Sequence, residues 1–143
     1  MSTVSDLKRF TDAQQSSFAT ALSEIQNGKK RSHWMWYIFP QISGLGDSYM
    51  SRFFAIKSLD EARAFIEDEY LGGNLREISN ALLTLENNDA RYVMGLPDNR
   101  KLRSCTTLFL HATDDNAVFR AVLDKFFGGE EDKKTVEIIK TDR

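Results

Sequence analysis

The sequence predicts an all-α fold, a single compact domain of six to eight helices joined by short loops over residues 1–143. Three observations carry this. Apolar residues recur at helical spacing along most of the chain. Alternating strand patterns are nearly absent, and only two prolines, Pro40 and Pro97, interrupt the 143 residues. That length suits one domain and buries enough surface to need no disulfide or metal for its core.

Phe18, Ala21, Leu22 and Ile25 fall at i, i+3, i+4 and i+7 and predict a first helix. Ser16 or Ser17 is its expected cap and Asn27-Gly28 its left-handed stop. Ser58-Leu59-Asp60-Glu61 reads as a capping box opening a helix that buries Leu59, Ala62, Phe65 and Ile66. After Gly72-Gly73, Leu75, Ile78, Leu82 and Leu85 keep one stripe for three turns. Pro97-Asp98 starts the next helix, with Asp98 as cap and a favourable charge at the positive dipole end. Leu102, Cys105, Leu108, Phe109 and Ala112 share its apolar arc, and Lys101 falls inside that arc. A helix from about Asp115 to Phe127 turns Val118, Ala121, Val122 and Phe126 inward and stops at Gly128-Gly129. Val136-Glu137-Ile138-Ile139 alternates poorly and reads as a short terminal helix capped by Asp132 or Thr135.

Composition narrows the class. Charged residues are 28% and hydrophobic ones 41%, and mean hydropathy is −0.42. Those values exclude a disordered chain, and no 18-residue apolar run exists to cross a membrane. A net charge of −2 gives no global field toward nucleic acid. One cysteine, Cys105, excludes an internal disulfide and fits a reducing compartment. With no apolar signal region in MSTVSDLKRF, the expected location is the cytoplasm.

The segment Arg31–Gln41 stands apart, because both tryptophans lie in it two residues apart. On a helix Trp34 and Trp36 would point about 200° apart, so no single stripe holds both. One reading is a central helix apolar on all sides, with Trp36, Ile38 and Phe39 largely buried. The other is a pocket lined by His33 and one tryptophan, with Gly44-Leu45-Gly46 letting backbone amides approach a ligand.

Most catalytic chemistries lack their residues. His33, His111 and Cys105 are the only soft metal ligands, with no HExxH, CxxC or i, i+4 histidine pair, so neither metal nor cofactor is expected. There is no G-x-S-x-G elbow and no P-loop. Cys105 sits on an apolar arc and reads as an inert buried thiol. Asp98, Lys101, Arg103 and Ser104 open a helix, where backbone amides, an amine and a guanidinium would suit an anion. The structural alternative caps the helix with Asp98 and pairs Lys101 and Arg103 with carboxylates such as Glu61 or Asp60; a sealed pair of Lys101 with Glu61 or Asp98 would make that lysine structural. Lys29-Lys30-Arg31 beside Trp34 and Tyr37 has the ingredients for base stacking, but three charges are a small footprint. A solvated helix terminus is the simpler account, and nucleic acid is not an expected partner.

The blocks KKRSHWMWYIFPQISGLGDSYMSRFFAI, SLDEARAFI, LPDNRKLRSCTTLF and FGGEEDKKT also carry a resemblance. From Asp6-Leu7-Lys8-Arg9-Phe10 to Thr135 the chain resembles the family catalogued as domain of unknown function 1810, small and mainly helical proteins of bacteria and some fungi. It is more distantly similar to a helical superfamily named for a predicted link to NAD and ADP-ribose. Members of that superfamily carry a Glu-His pair followed by aromatics and Gln. Here the stretch is Ser32-His33-Trp34, with Ser where the acid would stand, so the likeness implies nucleotide or ribose binding more than hydrolysis.

Two functions follow from different classes. The first is a site that binds or processes a phosphate-bearing nucleotide or ADP-ribose-like molecule. It would use His33, Trp34, Trp36, Gln41, Gly44, Gly46, Tyr49, Lys101, Arg103 and Ser104. In it Lys101 and Arg103 face a cleft floored by His33, Trp34 or Trp36 and closed by the Gly44–Tyr49 loop. The second is a non-enzymatic protein-interaction domain with no small-molecule site. A cavity holding Trp36 or His33 beside Lys101 favours the first; full burial of both tryptophans with no concave site favours the second.

Overall fold

Local capping and a few tertiary contacts set the helix ends in the computed structural model, which describes residues 4–142. Residues 1–3 and 143 of the expected domain lie outside them. Nine helices form among the described residues: α1 Val4–Gln26, α2 Met35–Ile38, α3 Tyr49–Phe53, α4 Leu59–Glu67, α5 Glu69–Leu83, α6 Ala90–Met94, α7 Asp98–Ala112, α8 Ala117–Phe127 and α9 Lys133–Asp142. The fold is all-α, and its only extended pairing among those residues is an isolated parallel bridge between Ile42 and Ile56. The count exceeds the expected six to eight because α2, α3 and α6 are four or five residues long. Segments that short show no repeating stripe.

Several expected ends hold. Gly28, at φ 93°, ends α1 by donating to the Ile25 carbonyl at 2.8 Å. The Ser58 hydroxyl accepts from the Glu61 amide at 3.1 Å and opens α4, which buries Leu59, Ala62, Phe65 and Ile66. The Glu61 carboxylate reaches one residue further back than a capping box requires, to the Lys57 amide at 2.9 Å. Asp132 caps α9 through the Thr135 amide and hydroxyl at 2.9 and 2.6 Å.

Others move. Ser16 and Ser17 lie inside α1, which has no glycine or proline to stop it earlier, and Ser16 donates back to the Ala13 carbonyl at 3.2 Å. α5 starts at an Asp68 cap and runs straight through Gly72-Gly73. A Cβ on Gly72 would sit 2.0 Å from the Ile66 carbonyl oxygen, so glycine there admits the close approach of α4 to α5. In α8 the buried residues are Phe119, Val122 and Leu123, while Val118, Ala121 and Phe126 are half-buried. The stripe is rotated because α8 packs against both α5 and α7.

α7 is the axis of the core, touching α4, α6, α8 and α9. Its buried arc contains Leu102, Cys105, Leu108, Phe109 and Ala112, as the periodicity predicts. Rings of Phe10, Phe65, Phe109 and Phe119 run through the interior at successive centroid distances of 5.1, 5.3 and 6.0 Å. Burial pushes the Cys105 thiol up, which keeps it protonated and unreactive. Among the described residues no helix is long and apolar enough to cross a membrane.

Candidate functional site

The two ends of the molecule's unusual segment are fixed by α1 and α6. Past the Gly28 stop, the Lys30 amide donates to the Val93 carbonyl at 2.7 Å, tying the chain to α6. Glu24, in the last turn of α1, then gathers the turn that follows. One oxygen accepts from the amides of Arg31 and Ser32 and from the Trp34 indole, at 2.8, 2.9 and 2.9 Å. The other accepts from the Ser32 hydroxyl. Burial alone would raise this carboxyl, but those donors outweigh it and lower the pKa from 4.5 to about 2.

That arrangement decides which tryptophan faces inward. Trp34 is buried with its N–H satisfied by Glu24 and its ring 6.2 Å from Phe39. Trp36 is half-buried and turned outward. The expected all-round buried helix is therefore a single turn, α2. Ile38 and Phe39 are buried as expected, whereas Trp36 is not.

Trp36 lines a cleft of about 350 Å³. Lys30, His33, Met35 and Trp36 form one side, and Met94, Leu96, Pro97, Asp98 and Lys101 form the other. The Asp98 carboxylate lies between two amines, 2.9 Å from Lys30 and 3.6 Å from Lys101. Asp98 does not cap α7: Pro97 holds the cap position, and no side chain caps it. Lys30 also donates to the Ser32 carbonyl at 2.6 Å and lies 5.0 Å from the Trp34 ring centre. It is thus a built-in cation and not a solvated terminus. Lys101 lies 5.7 Å from the Trp36 ring centre. Side-chain exposures of 8% for Lys30, 17% for Asp98 and 23% for Lys101 show a group that opens gradually toward solvent. Two lysines against one carboxylate leave one positive charge in the cleft.

The other face of Trp36 closes a separate nook of about 20 Å³ that includes Gln41, Gly44, Gly46 and Arg52. That is room for about one water. Gly44 has φ 105°, and a Cβ on Gly46 would lie 2.8 Å from the Ser51 side chain, so both glycines serve the tight path of the loop.

The cleft thus brings together His33, Trp36 and Lys101, and the nook joins Gln41, Gly44 and Gly46 to the back of Trp36. Four expected site residues lie elsewhere. Trp34 is in the core. Tyr49 is exposed and stacks on Phe53 at 5.9 Å, lining neither cavity, so its loop does not close the cleft. Arg103 turns toward Glu130 at 3.3 Å and the Phe127 ring at 5.6 Å. Ser104 is buried and donates to the Arg100 carbonyl at 3.2 Å. On a helix the side chain two residues beyond Lys101 points about 200° away, which removes Arg103, and the short Ser104 hydroxyl is spent on the carbonyl of its own helix. Of the carboxylates expected near Lys101, Asp98 pairs with it, in a group open to the cleft and not sealed, while Glu61 meets Arg9 at 3.1 Å and Asp60 meets Arg63 at 3.3 Å. Sequence reasoning missed Lys30 as a lining residue, the apolar wall of Met35, Met94 and Leu96, and Glu24 as organiser. Lys30 alone gave a signal, as part of the basic run beside the tryptophans.

A family model described as Protein of unknown function (DUF1810) matches residues 4–139. The crystal structure of the conserved hypothetical protein Rv1873 from Mycobacterium tuberculosis is similar, at 41% identity and a TM-score of 0.93. The match covers 94% of this chain and 96% of that one. No curated protein matches.

Proposed function

We propose that this chain, which belongs to the family described as Protein of unknown function (DUF1810), binds a phosphate-bearing nucleotide or ADP-ribose-like molecule in the cleft between α2 and α7. The observation that carries this reading is the pair of lysines, Lys30 and Lys101, sharing the Asp98 carboxylate at an open cavity walled by Trp36. Phosphate oxygens accept strongly from ammonium groups, and a base or sugar packs on an indole face. Lys101, the more exposed and loosely paired amine, is the natural phosphate contact. His33 is exposed at the same cleft and can hydrogen-bond a ribose or phosphate oxygen. Gln41, Gly44 and Gly46 support Trp36 from behind.

Binding, not hydrolysis, is the activity this geometry supports. Glu24 is the acid bonded to Ser32, but its oxygens are occupied by four donors and it is held ionised. It builds the turn and has no proton to give near neutral pH.

Calorimetry with AMP, ADP-ribose and inorganic phosphate tests the reading. Binding should quench tryptophan fluorescence, and Lys101→Met should abolish it while the folded spectrum persists. Absence of heat with all three ligands overturns the proposal. The protein-interaction reading would then stand, favoured by the exposed stacked pair Tyr49 and Phe53.

A further inference from the structure

Resting on the reading of the cleft as a nucleotide site, we infer that Asp98 sets its specificity. Its carboxylate limits the ligand to one phosphate, so of the two ligand types in that reading a nucleoside monophosphate is taken, and diphosphates such as ADP-ribose and longer phosphate chains are turned away.

The position of Asp98 is the first reason. At the start of α7 an aspartate is well placed to cap the helix, yet no side chain caps it. Both Asp98 oxygens instead go to lysines from different parts of the chain, at 2.9 and 3.6 Å. The two cations are not equivalent. Lys30 is nearly enclosed, bonded to Asp98 and to the Ser32 carbonyl, and placed against Trp34. Lys101 has only the longer Asp98 contact and the Trp36 ring, and its amine opens to the cleft. One amine can therefore swing to a ligand without breaking the packing beneath it.

The lining brings no third lysine or arginine for a second phosphate. Met35, Met94, Leu96 and Pro97 present no donor, and His33 is the remaining titratable group that lines the cleft. A phosphomonoester carries about −1.5 to −2 charges near neutral pH. Each further phosphate adds negative charge beside the fixed Asp98 carboxylate, where like charges repel in a partly dehydrated site. The apolar wall and Trp36 suit a base instead. The cavity, about 350 Å³, lies at the small end of the roughly 300–1,000 Å³ range of ligand sites, which also favours one nucleoside with one phosphate.

Calorimetry on the full chain with AMP, ADP, ATP and inorganic phosphate at fixed ionic strength tests this, in the native protein and in Asp98→Asn. The native protein should bind AMP about tenfold or more tighter than ATP, and bind phosphate more weakly than AMP. Asp98→Asn should erase that preference by strengthening ATP about tenfold. Thermal unfolding checks that the variant is folded, and Asp98→Ser replaces it if it is not. Equal AMP and ATP affinity in the native protein overturns the filter and leaves the nucleotide site standing. An AMP preference that survives in both variants overturns the role of Asp98. Phosphate binding as tightly as AMP overturns the nucleoside part. No binding by any ligand overturns the site itself, and the filter with it.

Discussion

Glu61 and Asp98 each hold a cation brought from a distant part of the sequence, and the two sites are built in opposite ways. Glu61 meets Arg9 at side-chain exposures of 2% and 12%. Arg9 also donates to the carbonyls of Phe53 and Ala55, both at 2.8 Å, while the Glu61 carboxylate accepts from the Lys57 amide and the Glu61 amide donates to the Ser58 hydroxyl at the start of α4. The Arg9 bonds fasten α1 to the end of α3, to the linker after it and to α4, and the Glu61 bonds fix the start of α4. Asp98 has two amines for one carboxylate, a gradient of exposure and a cavity in front of it. An ion pair that fixes backbone is sealed and stoichiometric. One that can exchange its partner is open and carries surplus charge.

The sealed pair should show the larger effect. Arg9→Met leaves the buried Glu61 carboxylate and two carbonyls without their guanidinium, and removing one partner of a buried pair costs about 3–5 kcal/mol. Urea unfolding at neutral pH measures it. A loss under about 1 kcal/mol, the range of surface pairs, would erase the distinction between the two sites.

Glu24 belongs with the sealed group, although it faces donors and no cation. Glu24→Gln should cost about 1.5–3 kcal/mol at neutral pH, the usual value of hydrogen bonds to a charged group. Its folded pKa, about 2, lies below the ordinary 4.5. The stabilisation it gives is therefore complete above pH 4.5 and is lost as pH falls from 4.5 toward 2. The gap between native protein and Glu24→Gln should narrow over that interval. A gap constant from pH 7 to 3 would show that the carboxylate charge does not organise the turn.

Legibility from the sequence follows the range of the interaction. The Ser58 and Asp132 caps, the α7 arc and the Gly28 and Gly128 stops were readable because each depends on neighbours within one or two turns. The stripe was readable only after Gly72-Gly73, and the continuation of α5 back through Gly72 was not, because the reason for that glycine is the Ile66 carbonyl of another helix. The choice between Trp34 and Trp36 was hidden because Glu24, ten residues before Trp34, makes it after the chain has reversed at Gly28. Lys101 was legible as a cation on an apolar arc, and His33 and Trp36 as polar and aromatic outliers. Asp98 looked like a cap because the same aspartate serves as cap or counter-ion. Only the delivery of Lys30 by the end of α1, pinned to Val93, decides between them.

The smallest stability effect should come from Lys101→Met, and its smallness is the point of the comparison. Asp98 keeps Lys30 at 2.9 Å when Lys101 is gone, so no carboxylate is left unpaired. The lost contact is longer, 3.6 Å, and its amine is partly solvated at 23% exposure, which places it among pairs worth about 0–1 kcal/mol. Methionine keeps most of the methylene stem and packs well on an aromatic ring, so the surface of Trp36 stays covered. The urea midpoint should barely move, with a change under about 1 kcal/mol. A cost near that of Arg9→Met would mean that Lys101 fastens the fold as Arg9 does, and the cleft would be a structural seam between α2 and α7. A silent midpoint gives Lys101 no structural duty to explain its place on an otherwise apolar arc, and leaves ligand contact as the reason for a cation there.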